Sequence, residues 1–324
     1  MAHEVETMAY AGEVPWHGLG VPVPENLTPD EMLKVAGLDW TVSKRPMSFR
    51  TKPNDSTKKV DEHFALVRDS DNKFMDVVGA RYTPTQNSEV FNFFDGFVKA
   101  TQLKMHTAGS LCEGKFVWGL AELNRSFEVG DSADRTDGYI LLLSPHQLGK
   151  SIIAQQTCVR VVCQNTLNMA LKDKSAAFRF SHSRKFDEQA KAEAAEVLGL
   201  AVTAFDELRG AAGFLASKKC EVVDARSFFS DLIVRRAEPE TGIANDNETD
   251  PPLVRRMLEA FNGNAPGQDL ASARGTWWGA FNAVTYVMDH RSGKTKDNSV
   301  RDNWLGGRGE LKRVALAKAI KLAA

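Results

Sequence analysis

The sequence is poor in the features that assign a chain to a compartment or a chemistry. It has four cysteines in 324 residues, and Cys112, Cys158, Cys163 and Cys220 are widely scattered. That argues against a disulfide-stapled scaffold and suits a reducing, cytoplasmic compartment. No apolar run approaches the ~18 residues of a membrane span, so no membrane role is expected. The opening MAHEVETMAYAGEV is acidic and lacks a basic start followed by an apolar stretch, which speaks against a signal peptide. Net charge is −1, from 41 Lys and Arg against 42 Asp and Glu. The whole molecule is no polycation, and any nucleic-acid site has to be a local patch. There is no internal repeat and no low-complexity tract.

Chemistry-bearing motifs are equally scarce. Gly293-Lys294-Thr295 ends like a phosphate loop, but Met288 stands where its first glycine belongs. Gly18-Leu19-Gly20 lacks the third glycine of a dinucleotide fingerprint. The histidines form no HExxH or HxH pair. Cys158 and Cys163 lie five apart on a predicted strand and face opposite sides, which disfavours a shared metal. Asp69, Asp71, Asp134 and Asp137 read as turn residues, not ligands. An enzyme centre around His146, Cys158 and Arg160 has only proximity in sequence behind it. No catalytic residue, cofactor or metal is expected.

What is present describes an α+β protein. Apolar residues make up 43% and charged residues 26%, enough for an ordinary buried core. Pro15–Gly20, PWHGLG, suggests a tight ordered loop around Trp16 and His17. Thr28 with Glu31 is a capping box that opens a short helix ending at Gly37. Trp40–Met47, His63–Val67 and Phe74–Val78 alternate as strands, the last two joined by the polar turn Asp69–Asn72. A helix carrying Val90, Phe91, Phe94 and Val98 follows. Leu103–Ala108, Lys115–Leu123, Tyr139–Ser144 and Ser151–Val162 read as an antiparallel meander with helices on one face. Its acidic turn, Val129–Gly138, is expected to be solvated and mobile.

Beyond the meander the chain reads as helical. Asn165 is a predicted N-cap for a helix with Leu167, Ala170 and Leu171. A long helix to about Lys218 carries a seam of Leu198, Ala201, Phe205, Leu208, Ala212 and Leu215, which packs on the sheet or on a neighbouring helix, or else joins two subunits. Asp224 caps a further helix with Phe228 and Leu232. Residues 237–251 hold five acids and no Lys or Arg and read as a linker or loop. Trp277, Phe281, Val284 and Met288 then form one apolar face, and Leu311–Leu322 closes with a basic face of Lys312, Arg313, Lys318 and Lys321. The expected organisation is a core over 1–236, the acidic segment 237–251, and a helical segment over 252–324.

One charge feature stands apart. Between Lys150 and Lys185 lie seven bases, Lys150, Arg160, Lys172, Lys174, Arg179, Arg184 and Lys185, against the single acid Asp173. Phe178, Phe180 and Phe186 are interleaved. Cations that track phosphates and rings that stack on bases are what a single-strand groove uses. Arg160 sits inside an apolar strand, and period-2 alternation points it outward. A solvated cluster with core phenylalanines is the competing reading.

PWHGLG, VGARYTPTQNSEVF (Val78–Phe91), CVRVVCQNTL (Cys158–Leu167) and WWGAFNAVTYVMDH (Trp277–His290) resemble the DUF932 family of phage- and plasmid-related proteins. The resemblance implies a mobile-element setting and supplies no catalytic residues. The order of elements, a meander running into a basic helix, is similar to the core of Rad52-like phage annealing proteins. That similarity implies rings or helices of subunits, with Lys150, Arg160, Lys172 and Lys174 lining a DNA groove. The expected function is non-enzymatic binding of single-stranded DNA by a homo-oligomer that promotes strand annealing. The alternative is a regulatory or interaction factor of a mobile element, such as a host-defence inhibitor, with no nucleic-acid role.

Overall fold

Thr28 and Glu31 do form the predicted capping box. The Glu31 amide donates to Thr28 Oγ1 at 3.3 Å, and the Thr28 amide donates to Glu31 Oε2 at 2.8 Å. Pro29 at the first turn needs no N–H partner there. The box opens α1 (Pro29–Val35), which buries Met32 and Leu33. The computed structural model describes residues 5–12, 14–15, 18–101, 103–130, 133–160, 165–168, 177–182, 188–234, 250–291 and 306–324. Trp16, His17 and residues 237–249 of the acidic segment lie outside them. Among the described residues no helix is long and apolar enough to cross a membrane.

The protein is α+β, with two sheets. The smaller runs β3 (Val42–Phe49), β4 (Lys58–Arg68), β5 (Lys73–Gly79), antiparallel with β4 central. The larger contains β1 (Val5–Ala11), β2 (Val21–Val23), β6 (Lys104–Leu111), β7 (Phe116–Glu128), β8 (Arg135–Pro145), β9 (Ser151–Arg160), β10 (Asn165–Asn168) and β11 (Ala177–Ser181). Its order is β10-β9-β8-β7-β6-β1-β2, with β11 also paired to β9. The meander is thus β6 to β9.

The predicted helix from Asn165 is instead β10, antiparallel to β9 with Asn165 opposite Arg160 and Asn168 opposite Thr157. Pairing with an open strand edge satisfies the backbone of this short segment and overrides its helical spacing.

The chain divides into two compact units. The first is Met1–Asn124, Tyr139–Gln155 and Ala177–Leu200; the second is Arg125–Gly138, Gln156–Ala176 and Ala201–Ala324. Residues 201–236 and 252–324 therefore belong to one unit, on either side of the acidic segment. In the first unit, α2 (Asn87–Thr101) buries Val90, Phe91 and Phe94 against Met105, Val117, Ile140 and Ile152 of the sheet.

In the second unit, the part of α3 (Glu188–Ala216) from Ala201 onward, α4 (Val222–Val234), α5 (Pro252–Glu259), α6 (Trp277–Tyr286) and α7 (Gly307–Ala323) share one core, with π-helical turns at Ala260–Asn264 and Val287–Arg291. The seam residues Phe205, Leu208, Ala212 and Leu215 are buried in that core, so they offer no surface to a second subunit. The basic face foreseen for the last helix is largely neutralised. Lys312 is buried on Asp289 at 2.7 Å, Arg313 pairs with Glu310, and Lys318 reaches Asp231 at 2.6 Å.

Gly279 sets how closely α6 approaches the preceding loop. Thr276 caps α6 by accepting from the Gly279 amide at 3.1 Å. A Cβ on Gly279 would lie 1.9 Å from the Ala273 carbonyl oxygen. Gly279→Ala is therefore expected to destabilise the protein by about 1–3 kcal/mol or more, because backbone has to shift. A urea midpoint equal to that of the parent would contradict this close approach.

Candidate nucleic-acid interface

β11 returns antiparallel to β9, with Arg179 opposite Ile153 and Ser181 opposite Ser151. Alternation along this strand sends Phe178 and Phe180 into the core and Arg179 to solvent. The phenylalanines are core residues, not the base-stacking rings expected of them. Lys150 is exposed at the end of the β8–β9 turn, where Gly149 takes a positive φ of 73°. The register sets Lys150 next to Ser151 and so beside the end of β11. Lys150 and Arg179 are thus about 10 Å apart along the β9–β11 pair at ~3.4 Å per residue. Neither is ion-paired with a described carboxylate. Lys172, Lys174, Arg184 and Lys185 lie outside the described residues, as do Cys163 and Phe186.

Arg160 is not part of any such surface. It is fully buried, and so is its partner Asp134. Arg160 Nε donates to Asp134 Oδ1 at 2.5 Å and Nη2 to Oδ2 at 2.8 Å, while Nη2 also donates to the Gly267 carbonyl at 2.9 Å. Ser272 Oγ at 2.7 Å and Trp278 Nε1 at 2.9 Å donate to the same Asp134 oxygen. A guanidinium so engaged has no access to a phosphate. The turn carrying Asp134, expected to be solvated, supplies a buried anchor of the second unit; Asp137 is also buried.

The enzyme alternative fares no better at its thiol. Cys158 is buried in the second unit's core, and burial, followed by the charge of Asp137, pushes its thiol up. A protonated, inaccessible thiol is no nucleophile.

A polar centre that the sequence reading overlooked lies in the first unit. Tyr82 and Thr85 come from the loop after β5, Asn87 opens α2, His146 follows β8, and His182 follows β11. All are buried. Asn87 Nδ2 donates to the Leu38 carbonyl at 2.9 Å, so its Oδ1 accepts from His146 Nε2 at 2.9 Å. That leaves His146 Nδ1 as a buried lone pair with no hydrogen-bond partner. Burial first, then the charges of His182 and Arg68, push His146 down to about 3. His182 stacks on Tyr82 with ring centroids 4.9 Å apart and is lowered chiefly by burial. Burial and Asp76 push the Tyr82 hydroxyl up. All three groups are therefore neutral at pH 7. The arrangement joins three distant segments and lacks a group poised near neutrality for proton transfer. A signal existed in the polar run TPTQN between an apolar strand and an apolar helix, but no local rule links it to His146 or His182.

Among the described residues no group of His, Cys, Asp and Glu could hold a metal ion. A family model described as a domain of unknown function, DUF932, matches residues 74–306. Three of the four strings that carry the resemblance fall in that span, and PWHGLG precedes it. No curated protein and no solved structure matches the chain.

Proposed function

The chain belongs to the DUF932 family, and we propose that it is a non-enzymatic, homo-oligomeric protein of a phage or other mobile element that captures single-stranded DNA and promotes annealing. The observation that carries this reading is the pair of exposed cations, Lys150 and Arg179, within three residues of each other along the β9–β11 register and without described carboxylate partners. Lys172, Lys174, Arg184 and Lys185 extend the same basic segment in sequence. In a chain of net charge −1 such segregation favours a polyanion at one place. The mechanism is electrostatic capture of the backbone, with bases left free to meet a complementary strand.

Fluorescence anisotropy with a labelled oligothymidylate at several salt concentrations tests the reading. Affinity is expected to fall with salt by about 0.7 in log–log slope per phosphate neutralised. The double variant Lys150→Ala/Arg179→Ala should flatten that slope by about 1.4. Absence of binding at low salt would sink the proposal and leave the protein-interaction reading in its place. Light scattering with and without DNA tests assembly: a monomer in both conditions removes the annealing step.

A further inference from the structure

A further group of cations is at the turn end of the β3–β4 hairpin. Arg50, Lys52, Lys58 and Lys59 are all exposed, and no described carboxylate pairs with them. Asp55, the one acid between Phe49 and Lys59, accepts from the Lys52 amide at 3.1 Å and shapes the turn. Asp61 and Glu62 follow within the irregular stretch of β4 that breaks the register between Pro46 and Ser48. Arg50 Nε donates to Thr57 Oγ1 at 3.0 Å, which holds the guanidinium across the hairpin and leaves its other N–H groups outward.

Phe49 lies among these cations and is 51% exposed. It is directly opposite Lys58 in register, so ring and ammonium stem share one face at a Cβ separation of about 5 Å. Lysines on an edge strand guard against edge-to-edge pairing. That role does not call for an aromatic ring held half in water beside them. A ring flanked by unneutralised cations matches the two demands of a single strand, a flat apolar face for a base and positive charge for the phosphates on either side.

We infer that the exposed end of the β3–β4 hairpin, residues 49–59, holds a single nucleic-acid strand. Phe49 offers its ring to one base, and Arg50, Lys52, Lys58 and Lys59 meet the flanking phosphates. This rests on the single-strand reading above and adds a contact region that the basic segment 150–185 does not contain.

The test is anisotropy with oligothymidylate on four full-length proteins: the parent, Phe49→Ala, Phe49→Trp and Lys58→Ala/Lys59→Ala. Phe49→Ala should weaken binding about tenfold at unchanged salt slope, since it removes stacking and no charge. Phe49→Trp should keep the affinity. The double lysine variant should make the slope shallower by about 1.4. All three substituted positions are exposed, so the fold is expected to be unaffected. If the parent binds and none of the variants differs, the strand lies elsewhere and this inference falls while the proposed function stands. If the parent does not bind at low salt, both fall. If oligoglutamate competes equally and Phe49→Ala is silent, an acidic protein segment replaces the strand as occupant.

Discussion

Asp134→Ala is expected to cost about 3–5 kcal/mol of stability. Asp134 and Arg160 are both fully buried, so removing the carboxylate leaves a guanidinium in the core without the Asp134 counter-ion. A buried charge without its counter-ion is far more costly than the pair is stabilising. Two further donors, Ser272 Oγ and Trp278 Nε1, lose their acceptor at the same time. Arg160→Met should be milder, because Asp134 keeps those two donors. The double variant Asp134→Leu/Arg160→Met should recover part of the loss, giving a large coupling energy in a double-mutant cycle. Urea unfolding followed by near-ultraviolet circular dichroism reads the effect. A loss below about 1 kcal/mol for Asp134→Ala would mean that Arg160 reaches water and could serve a phosphate after all.

Acid is expected to weaken the first unit well above the pH at which carboxylates titrate. His146 is held at about 3 in the folded protein, whereas an unfolded histidine titrates near ~6.5. Below that pH the unfolded chain binds a proton that the folded chain refuses. Stability is therefore fully present above about pH 6.5 and falls as pH drops toward the folded value. Well inside this window the slope for His146 approaches about 1.4 kcal/mol per pH unit. His182, lowered by burial, adds in the same direction. Glu6 is held low by Arg68 against the cost of its burial, and the same arginine holds Asp71 at about 2, so both remain ionised between pH 6.5 and 5. The comparison is thermal melting from pH 7.5 to 5.0. His146→Gln can keep a donor toward Asn87 Oδ1 but cannot gain a proton, and it should show the flatter profile. Parallel profiles for parent and variant would show that His146 protonates freely in the fold.

Much of the local architecture was legible. The Thr28–Glu31 box, the β4–β5 hairpin, the order of β6 to β9 and the buried face of α6 follow from capping chemistry and from periods of 2 and 3.6. These signals act over a few residues, which is why sequence holds them. Arg160 shows where that stops. Alternation distinguishes two faces of a strand but does not say which faces are covered. In β9 both are largely buried, and Cys158, on the same side as Arg160, enters the second unit's core.

The basic count between Lys150 and Lys185 treated seven cations as equivalent, whereas partners distant in sequence sort them. Asp134, 26 residues earlier, removes Arg160 from the surface, and the β11 register leaves Arg179 on it. The cations and exposed ring of residues 49–59 could have been counted from the sequence. Their significance depended on Phe49 pointing outward opposite Lys58, a fact of strand pairing.

The sequence by itself determined the α+β class, the helix and strand periods and the family strings, because propensity, capping and alternation are properties of short segments. The tertiary structure decided which charges are buried and which meet water. A charge's surroundings are set by groups tens to more than a hundred residues away, as Arg160 with Asp134 and Trp278 shows, and desolvation then decides whether it anchors a core or is free to bind.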